Sequence, residues 1–187
     1  MKLTEIVHAR LADHLQAGDL VIDATAGNGH DTCFLAEKVG ASGRVVAIDI
    51  QEAALAGTRL RLEAASLAGR VALVLGDHAQ HLDGLAHTQP SSAAAVIFNL
   101  GYLPGGDKSI TTAADNTRLA LNSARVLLQP GGLLCVTAYR GHLGGPEEAA
   151  AVETWMHDWA DVGDSVESHV PETKNQPPIL WLLWKLL

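Results

Sequence analysis

Short apolar runs that alternate with helix-like segments constrain this chain more than any other feature. Five runs read as strands: LVIDAT (20–25), RVVAIDI (44–50), VALVLGD (71–77), AAAVIFN (93–99) and LLCVTAY (133–139). Between and after them, helical spacing or composition marks 31–39, 51–68 with Gly69 as its stop, a segment from Thr111 or Thr112 to about Leu128, and 145–160. Pro130-Gly131-Gly132 reads as the turn into the fifth strand. Pro146 and two glutamates suit the start of the last helix. Strand–helix alternation means parallel strands joined by right-handed crossovers. Near-continuous apolar strands mean a sheet covered on both faces. Two more apolar segments follow, near Ser165–Val170 and Ile179–Leu186. The expected fold is therefore α/β, with a seven-stranded mostly parallel sheet and helices on both faces. At 187 residues the chain is expected to form one domain, 1–187, with 1–18 as a leading helix.

A sheet of this kind binds ligands at the carboxyl ends of its strands. Polar residues gather there. The first strand runs into Asp23-Ala24-Thr25-Ala26-Gly27-Asn28-Gly29-His30-Asp31, and the second into Asp49-Ile50-Gln51. The third ends in Asp77-His78, the fourth in Asn99, and the fifth in Tyr139-Arg140-Gly141-His142. Gly27 and Gly29 allow a tight turn and close approach to a ligand. Asp49, closing the second strand, suits a ribose diol.

A dinucleotide and S-adenosylmethionine share these needs. The dinucleotide fingerprint wants a third glycine where this chain has Thr32. Asp23 in D-x-x-x-G-x-G would repel a pyrophosphate but suits an ammonium group, directly or through neighbours. No second mononucleotide half follows the fifth strand. These features favour S-adenosylmethionine. Asp77 is then a candidate for the adenine amine, and His78 for the ring or the rest of the cofactor.

The stretch FNLGYLPGGDKSI (98–110) carries the substrate side. An amide such as Asn99 can accept hydrogens from a target amine and aim its lone pair, while Tyr102 can stack on a base. Gly105 and Gly106 bring backbone close to a substrate, Asp107 is a candidate for proton removal, and Lys108 for a phosphate. Tyr139, Arg140 and His142 border the same edge, with Arg140 a candidate phosphate contact. The other histidines lack metal-ligand spacing, and no metal is expected. Trp155 and Trp159, four residues apart, read as core or interface packing.

The net charge of −8 excludes a basic nucleic-acid coat, though not a local basic patch. Cys33 and Cys135 are too few and too separate for a disulfide framework, which fits a reducing, cytoplasmic setting. No signal peptide is read at the N-terminus. The apolar end ILWLLWKLL is too short to cross a bilayer and reads as a buried strand, so no membrane partner is expected.

Together DATAGNGHDT, AIDIQ, FNLGYLPGGDKSI and the Y-x-GH-x-GG segment resemble the small rRNA-methylase family, from the leading helix around His8 to NQPPILWLLWK. The resemblance implies a Rossmann-like class I methyltransferase with an antiparallel C-terminal strand, often dimeric. Characterised members methylate the aminomethyl group of wobble-position 5-aminomethyl-2-thiouridine, so it also implies a tRNA anticodon arm as partner. On that resemblance Asp23, Gly27, Asn28, Gly29, Asp31, Asp49, Gln51 and His78 are cofactor-side, and Asn99, Tyr102, Asp107 and Lys108 are substrate-side. From their places at the same strand ends, Thr25, Ala26, Thr32, Ile50, Asp77 and Asn99 join the cofactor-binding candidates, and Tyr102, Gly105, Gly106, Lys108, Tyr139, Arg140 and His142 are the substrate-binding candidates. Asn99, Tyr102 and Asp107 are the catalytic candidates. Another substrate stays open, rRNA or a small amine; a basic cluster of Lys108, Arg118, Arg140 and Lys174 at the pocket would favour RNA. A cofactor-binding relic and a nicotinamide enzyme are weaker alternatives.

Overall fold

The computed structural model describes residues 2–101, 105, 111–172 and 176–187. Tyr102, Gly106, Asp107, Lys108 and Lys174 of the sequence reading lie outside the described residues. Among the described residues, six α-helices and seven strands follow in chain order. They are α1 (Leu3–His14), β1 (Leu20–Asp23), α2 (His30–Lys38), β2 (Arg44–Asp49), α3 (Glu52–Ala64), β3 (Val71–Leu75) and α4 (His78–Thr88). Then come β4 (Ala93–Leu100), α5 (Ala114–Leu127), β5 (Leu128–Ala138), α6 (Gly145–Asp161), β6 (Ser165–His169) and β7 (Ile179–Trp184). The sheet order is β3-β2-β1-β4-β5-β7-β6. The first five strands pair in parallel, while β7 is antiparallel to both β5 and β6.

Each strand alternates side chains between two cores, because successive residues point to opposite faces. In β4, Val96, Phe98 and Leu100 face a core completed by Leu82 of α4, Leu121 of α5 and Val152 and Met156 of α6. Ala95 and Ile97 face the other, with Val7 and Leu11 of α1, Leu35 of α2 and Leu62 of α3. Phe98 is 1 % exposed; burying such a side chain contributes roughly 1.5–3 kcal/mol. The C-terminal strand is apolar because it is interior: β7 sits between β5 and β6, with Leu180, Trp181, Leu182 and Leu183 buried. Trp155 is buried too, its Nε1 donating to Asn122 Oδ1 at 2.7 Å, as packing rather than chemistry.

Several boundaries differ from the sequence reading. The leading helix is shorter, 3–14 rather than 1–18. Helix α3 stops at Ala64, before Gly69, and Ser66 turns the chain at φ 59°. Helix α4 has few apolar residues and was not read as a helix; it forms because Asp77 accepts from Ala79 N (2.7 Å) and Gln80 N (3.2 Å) at its start. Neither Thr111 nor Thr112 caps α5, whose N-cap is Ala113. Thr112 instead donates to the buried carboxylate of Glu148 at 2.7 Å. Pro130-Gly131-Gly132 lies within β5, where the pairing with β4 shifts register between Ala93 and Ala95.

Candidate active site

Helical crossovers carry β2 and β3 to one side of β1, while β4 and β5 lie on the other. The carboxyl ends of β1 and β4 therefore flank the switch point, where a cleft opens. The loop after β1 spans it: Ala24 N donates to Ile97 O of β4, and Ala26 N to Ile48 O of β2, both at 2.9 Å. A cleft of about 1060 Å³ lies above this loop.

Two carboxylates shape the loop. Asp49 accepts from Gly27 N (2.8 Å) and Gln51 N (2.9 Å), which ties the glycine turn to the end of β2. Asp23 is wholly buried and accepts from Thr32 Oγ1 (2.6 Å) and Thr25 N (3.2 Å). Burial, reinforced by the Asp31 charge nearby, pushes its carboxyl up to about 7. Thr32 thus stands where a dinucleotide site would have glycine because its hydroxyl satisfies Asp23. Gly29 serves packing as well as the turn: at φ 76°, its place for a Cβ lies 2.7 Å from Thr58 Oγ1. Asp23, Gly29 and Thr32 are not among the lining residues and form the frame beneath the cleft, so Asp23 would act on a ligand through its neighbours.

The other cofactor-side candidates do line it: Thr25, Ala26, Gly27, Asn28, Asp31, Asp49, Ile50, Gln51, Asp77 and His78. Ile50 is 58 % exposed, an apolar side chain left open at the cleft wall. Asp77 accepts from Asn116 Nδ2 of α5 at 2.8 Å. Although burial alone would raise its carboxyl, these donors hold it below the usual range. Burial lowers the pKa of His78, despite the opposing Asp77 charge, and its Nε2 finds no partner among the described residues.

On the far wall, Asn99 N donates to Thr25 Oγ1 (2.7 Å), and Asn99 Nδ2 donates to Asp31 Oδ2 (2.9 Å). The other oxygen of Asp31 meets His8 Nε2 at 2.7 Å. Burial alone would raise Asp31, but the bonds from His8 and Asn99 hold it below the ordinary carboxylate range. Gly105, Tyr139 and His142 line the cleft. The Tyr139 phenol is pushed up by burial and then by Asp31. Arg140 does not line it; its Nε donates to Pro177 O at 2.7 Å, pinning the segment before β7. Arg118 is not a lining residue either, so neither described member of the expected basic cluster reaches the cleft.

Sequence reasoning missed Thr4 and His8 of α1 and Asn116 of α5, all in the cleft wall. The four-residue spacing of Thr4 and His8 puts both on one helix face, a signal open to view in the sequence. Asn116 gave none, because its place depends on how α5 packs. Among the described lining residues the acidic side chains are Asp31, Asp49 and Asp77, and none is lysine or arginine.

Known proteins share this architecture. A "putative rRNA-methylase" structure from Clostridium thermocellum is 36% identical, with a TM-score of 0.92 over 100% of this chain and 98% of that one. A "putative methyltransferase" from Streptococcus mutans, solved in complex with S-adenosylhomocysteine, is 34% identical, with a TM-score of 0.87 over 100% of this chain and 99% of that one. A chloroplastic tRNA (mnm(5)s(2)U34)-methyltransferase from Arabidopsis thaliana is 40% identical over 84% of this chain. The chain spans 62% of that relative's length. The family described as "Putative rRNA methylase" matches residues 45–184, and the chain belongs to it.

Proposed function

We propose that the chain is an S-adenosylmethionine-dependent N-methyltransferase. Its substrate is the aminomethyl amine of wobble-position 5-aminomethyl-2-thiouridine in tRNA, and its product 5-methylaminomethyl-2-thiouridine. The observation that carries the reading is the meeting of Asn99 with the Gly27–Asp49 corner in one cleft. The 40% identity to the Arabidopsis enzyme supports the substrate.

The cleft suits the cofactor chemically. Asp49, Gly27 and Gln51 form the corner for a ribose diol, exposed Ile50 offers an apolar face for a purine, and His78 Nε2 has a hydrogen-bonding position to spare. Among the described lining residues Asp31, Asp49 and Asp77 stand without lysine or arginine, which favours cations, as a sulfonium and an ammonium both are. When bound, S-adenosylmethionine supplies an electrophilic methyl group. This chain's residues then supply positioning and exclusion of water. Asn99 accepts a hydrogen of the amine and so turns its lone pair toward the cleft. Asp107 is the candidate for taking the amine's proton.

The reading includes one domain over 1–187, a homodimer, and a reducing setting such as the cytoplasm, in keeping with free Cys33 and Cys135. No described helix is long and apolar enough to cross a membrane. The cation-free described lining favours a second substrate class, a small amine, because tRNA phosphates would need basic residues elsewhere. The deciding experiment is methyl transfer from labelled S-adenosylmethionine to tRNA from cells lacking the wobble methylation, followed by nucleoside mass spectrometry. Label in 5-methylaminomethyl-2-thiouridine supports the tRNA reading. Cofactor binding without that label moves the substrate to rRNA or a small amine.

A further inference from the structure

We propose that His8 and Asp31 are positioning residues that lock the Asn99 amide with its oxygen toward the target amine. The proposal deepens the methyltransferase reading and rests on it for the identity of that amine.

An amide has two chemically opposite ends of nearly the same shape. Only the oxygen end can accept a hydrogen from an amine; the NH2 end would oppose it. Backbone geometry alone does not choose between them. Asp31 does, because a carboxylate accepts and cannot donate. The end of Asn99 that faces it at 2.9 Å must be the NH2 group, which leaves the oxygen for the substrate. Asp31 itself must then stay ionised and stay aimed. His8 does both, with Nε2 2.7 Å from the second carboxylate oxygen. The imidazole is held in turn by Phe34: the rings stack 3.9 Å apart and 2° from parallel. A chain of contacts runs from α2 through α1 and back to the end of β4, and it gives α1 a role beyond covering the sheet.

A second observation points the same way. Leu100 O, the backbone carbonyl beside Asn99, accepts from Tyr139 N at 3.1 Å, and Gly101 O accepts from Thr112 N at 3.1 Å. Both carbonyls thus already hold one internal donor each. A flipped Asn99 amide would turn its NH2 end, rather than its oxygen, toward the amine.

The test uses His8→Phe, which keeps a ring against Phe34 and removes the nitrogen, and His8→Gln, which restores a donor. Single-turnover methyl transfer to the unmethylated tRNA should fall about 10- to 100-fold in His8→Phe, the range for losing one oriented hydrogen bond at a reacting centre. KM for tRNA and Kd for S-adenosylhomocysteine should stay within about threefold, and His8→Gln should recover most of the rate. Asp31→Ala should lose more than His8→Phe.

A readout independent of turnover comes from 15N-asparagine labelling. The Asn99 side-chain NH2 signal, assigned by its loss in Asn99→Ala, should shift in His8→Phe and in Asp31→Ala, and return toward its native position in His8→Gln. An Asn99 signal indifferent to His8→Phe overturns the proposal, whatever the turnover. So does a His8→Phe enzyme with native rate. Absence of transfer to tRNA by the native protein would count against the parent reading alone, since the amide signal still decides this one. Should His8→Phe fail to fold, His8→Ala replaces it with the same expected shift.

Discussion

The backbone N–H of Asn99 donates to Thr25 Oγ1 at 2.7 Å, so a hydroxyl in the loop after β1 holds the last residues of β4. The two residues are 74 apart in sequence. Through this bond the cofactor side and the substrate side of the cleft share one anchor. Thr25→Val keeps the shape and removes the acceptor. The variant should lose about 1–2 kcal/mol of stability, the cost of leaving a half-buried N–H unmatched. It should also lose turnover by about tenfold, because a small displacement of a reacting group is costly. Urea unfolding and a methyl-transfer assay measure the two effects, and unchanged turnover at native stability would contradict the coupling.

Asn99→Ala separates the two sides. Backbone bonding to Thr25 survives, and only the amide goes. Turnover should fall by about 100-fold or more, the usual scale for a preorganised hydrogen-bonding group at a reaction centre. Calorimetric affinity for S-adenosylhomocysteine should change less than about threefold. A comparable loss in both quantities would mean that Asn99 holds the cofactor rather than the amine.

Asp49 should show the reverse pattern. Its carboxylate accepts from Gly27 N and Gln51 N and stands at the corner suited to a ribose diol. Asp49→Ala should weaken S-adenosylhomocysteine by about 10- to 100-fold, as expected for losing bonds to a charged acceptor. An analogue lacking both ribose hydroxyls distinguishes contact from mere loop support. It should bind the native protein and the variant alike; a large difference would assign Asp49 to the loop alone.

Much of this architecture was legible because its signals are local. Runs such as AAAVIFN announce strands buried on both faces, and their order fixes which loops share an edge. The crossover rule then brings Asn28, Asp49, Asp77 and Asn99 together with no contact known. What was not legible depends on partners distant in sequence. Helix α4 hides in HAQHLDGLAHT because its start is secured by Asp77 and its packing by Leu82, not by a long apolar stripe. Thr112 looked like a cap because its other partner, Glu148, lies 36 residues away. Arg140 looked like a phosphate ligand because nothing local showed Pro177. Asp23 reads identically in sequence whether it lines a cleft or lies beneath one, and only burial distinguishes the two.

That burial has a pH consequence. Asp23 titrates near 7 in the fold, against an ordinary 3.8. Between these values the folded chain holds more protons than the unfolded one. The Asp23 contribution is therefore fully present below about pH 4 and is lost as pH rises through 7. Asp31, Asp77 and Asp164, all held low, contribute in the opposite sense: their stabilisation is present above the ordinary carboxylate value and lost as pH falls through their folded values. Comparison with Asp23→Asn isolates the first effect. From pH 5 to pH 8 the variant should gain on the native protein by a few kcal/mol of unfolding free energy. A carboxyl 13C titration of Asp23 gives the same midpoint directly. A constant difference between the two proteins, with a midpoint near 4, would contradict the burial argument.

Far from the cleft, Asp164 joins three elements with one carboxylate. Arg125 of α5 donates to it twice, from Nε at 2.6 Å and from its terminal nitrogen at 3.0 Å, while lying 3.5 Å over the Trp159 ring of α6. Leu186 N, just past β7, donates to the same group at 2.8 Å. The Asp164 side chain is fully covered, and that of Arg125 is 19% exposed. Burial alone would raise the carboxyl, but the Arg125 bonds hold it low. Asp164→Ala leaves a mostly covered guanidinium unpaired and should cost about 3–5 kcal/mol. Arg125→Ala strands the carboxylate and should cost a similar amount. The double variant should lose far less than the two costs added, because each single change already breaks the pair. Denaturant unfolding of all four proteins closes this cycle. Strict additivity would show that the two side chains act separately, and that the end of the chain is held by the pairing of β7 with β5 and β6.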